Sequence, residues 1–472
     1  MTQQRTYIGI AMGLALCAAV AAQDEEPKFT KFTVLAHTSN YPHSYAGLVQ
    51  GVNGQLYATT AGARGVPGEI FEITRGGDLT TLDSLSGLSQ AGLLLATDGN
   101  FYGTNLKGGE HLGGWIFRMT PSGKVTGLHS FCTEADCADG EGPMGPLIQG
   151  TDGNLYGTTS HGGPGCTLYG YSCGTFFRIT LAGEITTLYT FCLQDGCLDG
   201  EDPSGPIVQA SDGDFYGTTN GGGAGSSGTI YHLTPSGDFT LLYTFCTQSG
   251  CPDGSYPSGL ALGPDGALYG ATESAPTVFK ITLDGTFQVL AALCPGPDCS
   301  AAAYAPPVPA TDGNLYGTTA GGGKNDWGTI FRITTSGELT RLYSFCSLQD
   351  CKDGGDPMGP ILQATDGNLY GTTWGVGGKN GGTVYRLALG LAPFVTPVPA
   401  FGNAGQQVSI LGYNLTGATA VSFNGSPAAS FTVNATGSAI TATVPDGATT
   451  GPIQVTLGDG TTLTSNVPFK PE

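Results

Sequence analysis

Short apolar runs alternate with tight-turn signals along most of this chain. In one unit, the apolar run 360–364 enters an Asp-Gly turn and continues as Leu-Tyr-Gly-Thr. In the unit before it, a glycine-rich loop leads to the alternating run 328–334, and Ser336-Gly337 separates this run from another at 339–345. Asp-Gly between two apolar runs indicates a hairpin, because a type I′ turn needs positive φ at its central residues. Each unit therefore predicts four short antiparallel strands.

The unit is repeated seven times. The central glycine of its first turn recurs every 45 to 60 residues, at Gly54, Gly99, Gly153, Gly213, Gly266, Gly313 and Gly367. A supersecondary unit with a period near 50 residues is typical of a stacked or closed array. We therefore predict an all-β fold with a seven-bladed β-propeller over residues 29–390. A linear β-solenoid is the alternative.

The two ends of the repeat region favour a closed ring. The seventh unit has a third strand at 382–387 but no fourth, since Leu391-Ala392-Pro393 follows. A fourth-strand sequence at residues 32–35 stands alone near the N-terminus and matches residues 339–342 in pattern. We expect this N-terminal strand to complete blade seven, which would remove the exposed edges of an open array.

The antiparallel order of the strands separates two faces of the predicted propeller. The short Asp-Gly and Ser-Gly hairpins lie on one face. The glycine-rich loops and the connections between blades lie on the other, together with the tryptophans Trp115, Trp327 and Trp374. Because binding residues concentrate in variable loops held by a rigid scaffold, we expect the second face to be the one used for recognition.

After Pro393 the sequence pattern changes. Short alternating strands with turn signals every eight to twelve residues continue to the end of the chain. This pattern predicts an immunoglobulin-like β-sandwich over residues 393–472, without a cysteine and hence without an inter-sheet bridge. The run "GQQVSILGYNLTGATAVSFNG", with "ITATVPDGATTGPIQVTL", resembles the IPT/TIG family of immunoglobulin-like domains. The resemblance implies an interaction or spacer module of cell-surface and secreted chains.

The repeats resemble the GloVer tandem repeat of exported bacterial proteins. The shared pattern is "DGNLYGTT…GTIFRIT…GELTRLYSF", and it covers about residues 29–390. The resemblance implies export, sometimes with a C-terminal surface anchor, and implies no established activity. Here residues 469–472 form neither a hydrophobic tail nor a basic stop. We therefore expect release, or retention at the surface by non-covalent contacts.

Composition supports an exported, turn-rich protein. Of 472 residues, 79 are glycine, and 39% are hydrophobic, which is typical of an all-β chain rather than a disordered one. Residues 1–22 predict a signal peptide, with Arg5 before an apolar stretch at 7–22; a lipoprotein signal using Cys17 is the alternative. No other run is long enough to span a membrane. The net charge of −20 argues against nucleic acid and anionic membranes as partners.

Twelve cysteines follow the predicted signal peptide. Ten form pairs with four residues between, and the remaining pair has six between. An even number of cysteines in an exported chain predicts disulfides, while zinc is the competing interpretation. The predicted local disulfides are Cys132/Cys137, Cys166/Cys173, Cys192/Cys197, Cys246/Cys251, Cys294/Cys299 and Cys346/Cys351.

Acidic residues crowd the loops between repeats. Carboxylates clustered in loops are the ligands that calcium needs, although solvated loop charge is the commoner explanation. Calcium is thus a possible cofactor, and no other is predicted. The calcium candidates are Asp199, Glu201, Asp202, Asp353 and Asp356. The repeated Asp and Tyr of the hairpin motif could instead serve as metal ligands or a sugar-stacking array, but a turn and packing role accounts for them.

The loops of repeats six and seven carry the strongest signal for a ligand. Tryptophan beside amide and charged groups can stack on a sugar face while the polar groups bind its hydroxyls. The alternative is that these tryptophans only cap the blades. The candidate ligand-binding residues are Lys324, Asn325, Asp326, Trp327, Trp374, Lys379 and Asn380.

Taken together, these features predict a secreted or cell-surface binding or adhesion protein. Its expected partner is carbohydrate or a cell-surface protein. The sequence shows no catalytic residues, because no two histidines have a metal-ligand spacing and no nucleophile motif is present. An extracellular polysaccharide hydrolase using two loop carboxylates, or a lyase, remains the enzyme alternative, since the repeats also resemble blades of streptogramin-inactivating lyases. A passive structural surface protein is the third possibility.

Overall fold

A computed structural model describes residues 31–38, 46–62, 67–85, 87, 89–166, 173–294, 301–375 and 381–471. These residues form nine four-stranded antiparallel sheets and three single-turn 3-10 helices. The all-β fold predicted from the sequence is thus confirmed. No described helix is long and apolar enough to cross a membrane. The predicted signal peptide at residues 1–22 lies outside the described residues.

Seven of the sheets come from the repeats, and we number them along the chain. The strand β1 (Lys31–His37) belongs to the last of them. Sheet 1 contains β2 (Val49–Gln50), β3 (Leu56–Thr59), β4 (Gly68–Ile73) and β5 (Leu79–Leu85). Sheet 2 contains β6 (Leu94–Leu95), β7 (Phe101–Asn105), β8 (Trp115–Met119) and β9 (Val125–Ser130). Sheet 3 contains β10 (Ile148–Gln149), β11 (Leu155–Thr159), β12 (Thr175–Ile179) and β13 (Ile185–Thr190).

The next three sheets repeat the same order of strands. Sheet 4 contains β14 (Glu201–Gln209), β15 (Phe215–Gly221), β16 (Thr229–Leu233) and β17 (Phe239–Thr244). Sheet 5 contains β18 (Ser255–Leu262), β19 (Leu268–Ser274), β20 (Thr277–Ile281) and β21 (Phe287–Ala292). Sheet 6 contains β22 (Val308–Pro309), β23 (Leu315–Thr319), β24 (Thr329–Ile333) and β25 (Leu339–Ser344).

Sheet 7 combines the two ends of the repeat region. It contains β26 (Leu362–Gln363), β27 (Leu369–Thr372), β28 (Thr383–Ala388) and, beside β28, the N-terminal strand β1. The register pairs Lys31 with Ala388 and His37 with Thr383. The first strand of the chain therefore fills the place that a fourth strand takes in the other repeats, which is the pairing that the sequence predicts.

A glutamine–threonine contact joins neighbouring sheets. Gln149 in sheet 3 accepts a hydrogen bond from the backbone N–H of Thr97 in sheet 2 at 2.9 Å. Gln50 in sheet 1 makes the same contact with Thr365 in sheet 7 at 3.0 Å. Since Gln50 belongs to the first repeat and Thr365 to the last, sheet 7 lies against sheet 1.

The repeated Asp-Gly-Asn-Leu-Tyr motif forms a turn that also holds a buried phenol. In sheet 3, Asp152 accepts a hydrogen bond from the Asn154 backbone at 3.1 Å and another from the Tyr156 hydroxyl at 2.8 Å. Tyr156 is 1% exposed. Burial, and then the hydrogen-bonded carboxylate, raise the pKa of Tyr156 above its ordinary range. The same Asp–Tyr pair recurs at Asp98/Tyr102, Asp212/Tyr216, Asp265/Tyr269, Asp312/Tyr316 and Asp366/Tyr370.

The last two sheets come from the C-terminal residues. Sheet 8 has the strand order β29 (Thr396–Val398), β30 (Gln407–Leu411), β34 (Ala439–Thr443) and β33 (Ser430–Val433). Sheet 9 has the order β32 (Ser426–Pro427), β31 (Ala418–Phe423), β35 (Ile453–Leu457) and β36 (Thr462–Thr464). One buried cluster contains side chains from both, so the two sheets share a core.

The C-terminal residues contact the Asn53-Gly54 turn of sheet 1. The Val52 carbonyl accepts hydrogen bonds from the Asn434 amide at 2.8 Å and the Ser438 hydroxyl at 2.7 Å. Leu411 and Ala439 join a buried cluster of sheets 1 and 2. The C-terminal residues therefore cover part of the side of the molecule that carries the hairpin turns.

Arg75 connects three parts of the chain at this contact. Its guanidinium lies 2.5 Å from the Asp366 carboxylate of sheet 7 and 5.0 Å from the ring centroid of Tyr413. Burial alone would raise the pKa of Asp366. The Arg75 charge, with hydrogen bonds from Asn368 and Tyr370, outweighs burial and holds that pKa below its ordinary value.

Candidate functional site

The strand order places the long connections on one face, which we call the loop face. It carries the connections between second and third strands of each sheet and those between sheets. The short turns lie on the opposite side, where the C-terminal residues pack. The polar side chains that differ from repeat to repeat are therefore concentrated on the loop face.

Disulfides close loops on this face, most of them between sheets and one, Cys166–Cys173, between β11 and β12 of sheet 3. Five predicted pairs are observed, with Cα atoms 4.0 to 6.1 Å apart: Cys132–Cys137, Cys166–Cys173, Cys192–Cys197, Cys246–Cys251 and Cys346–Cys351. Cys294 is also disulfide-bonded, and its predicted partner Cys299 lies outside the described residues. Disulfides therefore account for every described cysteine.

A buried carboxylate organises at least two of these loops. Asp353 is fully buried and accepts hydrogen bonds from the Tyr343 hydroxyl at 2.7 Å and from the backbone N–H groups of Ser347 and Leu348 at 2.8 and 3.1 Å. Asp199 is likewise buried and accepts a hydrogen bond from the Tyr189 hydroxyl. These two calcium candidates are thus acceptors within their own loops.

Glu201 lies beside a disulfide rather than a thiolate pair. Its carboxylate and the sulfurs of Cys192 and Cys197 are all within 4.8 Å of one another. Because the two sulfurs are bonded to each other, neither is the thiolate that a metal would need. This trio is therefore not a metal centre in the oxidised protein.

The backbone brings the tryptophans of repeats six and seven together. The Asp356 N–H donates to the Trp327 carbonyl at 2.9 Å, and the Trp374 N–H donates to the Asp356 carbonyl at 3.0 Å. Both tryptophans are half-buried. A Cβ at Gly355 would lie 2.8 Å from the Trp327 ring, so glycine at this position lets the indole approach the backbone closely.

The acidic residues of this tryptophan pair also meet. Burial, and then the nearby charge of Asp326, raise the pKa of Asp356. Asp326 accepts a hydrogen bond from the Gly322 backbone at 2.9 Å. The Asn325 amide donates to the Cys346 carbonyl at 2.9 Å and so ties this loop to a disulfide loop. Lys324 is exposed beside it, whereas Lys379 and Asn380 lie outside the described residues.

A second polar cluster lies at one register position of the repeats. The residue after the repeated Tyr-Gly-Thr-Thr stretch of each second strand differs from sheet to sheet: Ala61, Leu106, Ser160, Asn220, Glu273, Ala320 and Trp374. The Asn220 amide of sheet 4 reaches the Glu273 carboxylate of sheet 5 at 3.5 Å. At this register position the side chains therefore differ between the repeats, although the strand before it is similar in each.

Glu273 has the most perturbed carboxyl group of this cluster. Burial, and then the charge of Asp202, raise the pKa of Glu273 to about 7. Burial also raises the pKa of Asp202, although the neighbouring His161 opposes the shift. The Ser160 hydroxyl lies 2.7 Å from the ring of His161. Sequence reasoning singled out Asp202 but missed Glu273, Asn220 and His161, which an alignment of the seven repeats with one another would have found.

The repeats match a known family over most of their length. Residues 24–199, 168–276 and 273–411 match the model of the Gloeobacter/Verrucomicrobia repeat. The chain belongs to the Gloeobacter/Verrucomicrobia repeat family. Residues 393–471 match the IPT/TIG domain, so both resemblances inferred from the sequence are confirmed. This combination of the Gloeobacter/Verrucomicrobia repeat and an IPT/TIG domain fits a surface or extracellular protein.

Solved structures show the same type of fold. Virginiamycin B lyase from Staphylococcus aureus is 18% identical, with 76% of this chain and 99% of that chain covered and a TM-score of 0.52. A streptogramin B lyase is 16% identical, with 76% and 97% covered and the same TM-score. At such identities the likeness shows a β-propeller-like fold for this member of the repeat family and nothing about its activity. No curated protein matches the chain.

Proposed function

We propose that this is a secreted or cell-surface protein that binds carbohydrate through its loop face. The proposal takes the seven repeat sheets as the blades of one propeller over residues 29–390, and residues 393–472 as an immunoglobulin-like sandwich beside it. The IPT/TIG domain and the disulfides support an extracellular location. A cell-surface protein is the other class of partner.

The observation that carries this proposal is the joining of two tryptophans through Asp356. Trp327 and Trp374 come from different repeats, yet hydrogen bonds from and to the Asp356 backbone link their main chains. Both residues remain partly exposed, while the side of the molecule with the short turns is partly covered by the C-terminal residues. Two tryptophans whose main chains are tied through one residue present aromatic surface from an ordered segment, which favours affinity for a flat apolar surface.

Carbohydrate fits the chemistry around these rings. The C–H face of a pyranose stacks on an indole, and its hydroxyls need acceptors and donors near the ring. Asp326 and Asp356 supply carboxylate acceptors, and exposed Lys324 supplies an ammonium donor. A site with aromatic surface and a few polar groups is typical of small-ligand recognition.

The test is binding of the full-length protein to a panel of soluble oligosaccharides, measured by calorimetry. Trp327→Ala and Trp374→Ala should each weaken binding at least about tenfold, because a buried aromatic anchor contributes more than about 1.4 kcal/mol. The matched control is Trp115→Ala, since Trp115 is also half-buried but lies in sheet 2. Unchanged affinity in both test variants, with melting temperatures confirming their folding, would rule out the tryptophan pair as the site.

The same panel separates the alternatives. Release of reducing ends from an oligosaccharide would support the hydrolase if the Glu273→Gln variant no longer released them. Glu273 is the residue to change because a carboxyl group with a raised pKa beside a second carboxylate is a common general acid in glycoside hydrolysis. Unsaturated products would support a lyase. Neither binding nor turnover would support a structural role.

A further inference from the structure

Asp202, Asn220, Glu273 and His161 come from three sheets and meet on the loop face. Asp202 and Asn220 lie on β14 and β15 of sheet 4, and Glu273 lies on β19 of sheet 5. His161 follows β11 of sheet 3, and its charge acts on Asp202. Only sheet packing brings these residues together, because they are separated by up to two repeats along the chain.

The two carboxylates of this cluster have no lysine or arginine partner among the described residues, and the positive group that acts on Asp202 is the His161 ring at the exposed edge of the cluster. None of the ion pairs there joins Asp202 or Glu273 to a lysine or arginine. One Asp202 oxygen is fully buried without a hydrogen-bond partner in the described part of the chain. Two neighbouring carboxylates removed from water repel each other, so the cluster is costly unless a positive group joins it.

We propose that Asp202, Glu273 and Asn220 form a subsite for the ammonium group of a ligand, and that the carbohydrate this protein binds is an amino sugar. This inference rests on the proposed carbohydrate function. An ammonium group donates three hydrogen bonds. The carboxylates of Asp202 and Glu273 and the amide oxygen of Asn220 supply three acceptors, while the amide nitrogen of Asn220 holds Glu273.

The ligating groups suit an ammonium group better than a calcium ion. Calcium takes six to eight oxygen ligands, whereas this cluster offers two carboxylates and one amide oxygen. His161, exposed at the edge of the cluster, adds nitrogen rather than oxygen. The net charge of −20 attracts any cationic ligand and does not favour a metal ion over an ammonium group.

The register of the repeats links this subsite to the tryptophans. Glu273 and Trp374 occupy the same register position in sheets 5 and 7, and sheet 6 has Ala320 there. Ala320 is small and buried, so no large side chain occupies this register position between them. We expect one sugar unit to stack on Trp374 while the amine of another unit in the same oligomer reaches Asp202 and Glu273.

The test compares two oligomers of equal length with the full-length protein: β-1,4-linked glucosamine and its fully N-acetylated counterpart. Wild type should bind the amine oligomer at least about tenfold more tightly than the acetylated one. A tenfold difference in affinity is the lower end of what hydrogen bonds to a charged group contribute. Asp202→Asn and Glu273→Gln should each remove this preference while keeping the affinity for the acetylated oligomer. Glu141→Gln is the matched control, because Glu141 is a loop-face carboxylate already paired with Lys107.

A third probe, the oligomer with trimethylated amines, keeps the positive charge but has no N–H group to donate. It should bind no more tightly than the acetylated oligomer, and binding as tight as that of the amine oligomer would contradict recognition by three hydrogen bonds. Equal affinity of wild type for the amine and acetylated oligomers overturns the ammonium subsite and leaves carbohydrate binding in place. If neither oligomer binds, both the subsite and its amino-sugar ligand are wrong.

Discussion

The raised pKa of Glu273 predicts how stability depends on pH. The folded protein holds the proton of Glu273 up to about pH 7, whereas an unfolded chain releases it near its ordinary value of 4.5. Between these two values the folded state binds more protons, so the free energy of unfolding falls as pH rises. The stabilising contribution is fully present below pH 4.5 and is lost as pH rises through 7.

The size of the effect follows from the same two values. The difference between 4.5 and about 7 corresponds to about 3.5 kcal/mol at about 1.4 kcal/mol per pKa unit. Glu273 is only partly buried, so solvent screening reduces this to about 2 kcal/mol. Glu273→Gln removes the titration, and relative to wild type the variant should therefore gain about 2 kcal/mol between pH 5 and pH 8.

Chemical denaturation with the disulfides intact measures this difference. Wild type, Glu273→Gln and Asp202→Asn are unfolded in urea at pH 5 and pH 8, and the pH dependence of each is compared. Asp202→Asn should reduce the dependence, since it removes the charge that helps raise the pKa of Glu273. Profiles for wild type and Glu273→Gln that stay parallel within about 0.5 kcal/mol would refute the reasoning.

Two further predictions concern the framework. Tyr316→Phe should lower the free energy of unfolding by about 1 kcal/mol, because it removes the hydroxyl bonded to Asp312 at 2.7 Å. The control is Tyr231→Phe, because the Tyr231 hydroxyl is buried without a hydrogen-bond partner in the described residues. This control should lower the free energy of unfolding by less than Tyr316→Phe does, or raise it. Equal losses for the two variants in urea denaturation would contradict the explanation. Arg75→Ala should cost about 3 kcal/mol at pH 7, because it leaves the buried Asp366 carboxylate without its positive partner, although Asn368 and Tyr370 still donate to it. That loss should shrink in acid, as Asp366 takes up a proton in the variant, and a pH-independent loss would contradict the ion-pair explanation.

The strands of the repeats could be predicted because local chemistry determines them. The hairpins form at the Asp-Gly positions, where Gly153 and Gly313 have φ of 81° and 80°. The predicted type I′ geometry is wrong, because Asp152 and Asp312 do not share this positive φ. The missing fourth strand of the seventh unit likewise pointed to the pairing of β1 with β28. The disulfides between cysteines five residues apart were predictable for the same reason, since each closes within one loop.

The candidate site was less accessible to sequence reasoning because it depends on packing between repeats. Asp353 resembles a loop carboxylate free to bind calcium, yet Tyr343, ten residues earlier, donates to it in the interior. Glu273 stands in an ordinary strand, and only its proximity to Asp202 and Asn220 makes it unusual. The tryptophan candidates remain predictions, as does calcium.

The pairing of β1 with β28 has a consequence for incomplete chains. Thr38, next to β1, and Gly382, next to β28, are 344 residues apart and hydrogen-bonded. A polypeptide truncated before β28 would keep an unpaired β1, and the backbone of β1 would be free to pair with β28 of another molecule. Strand exchange of this kind would join intact and truncated copies into mixed dimers or aggregates. Because sheet 7 is completed only when β1 pairs with β28, correct folding of the repeat region is sensitive to premature termination and proteolysis.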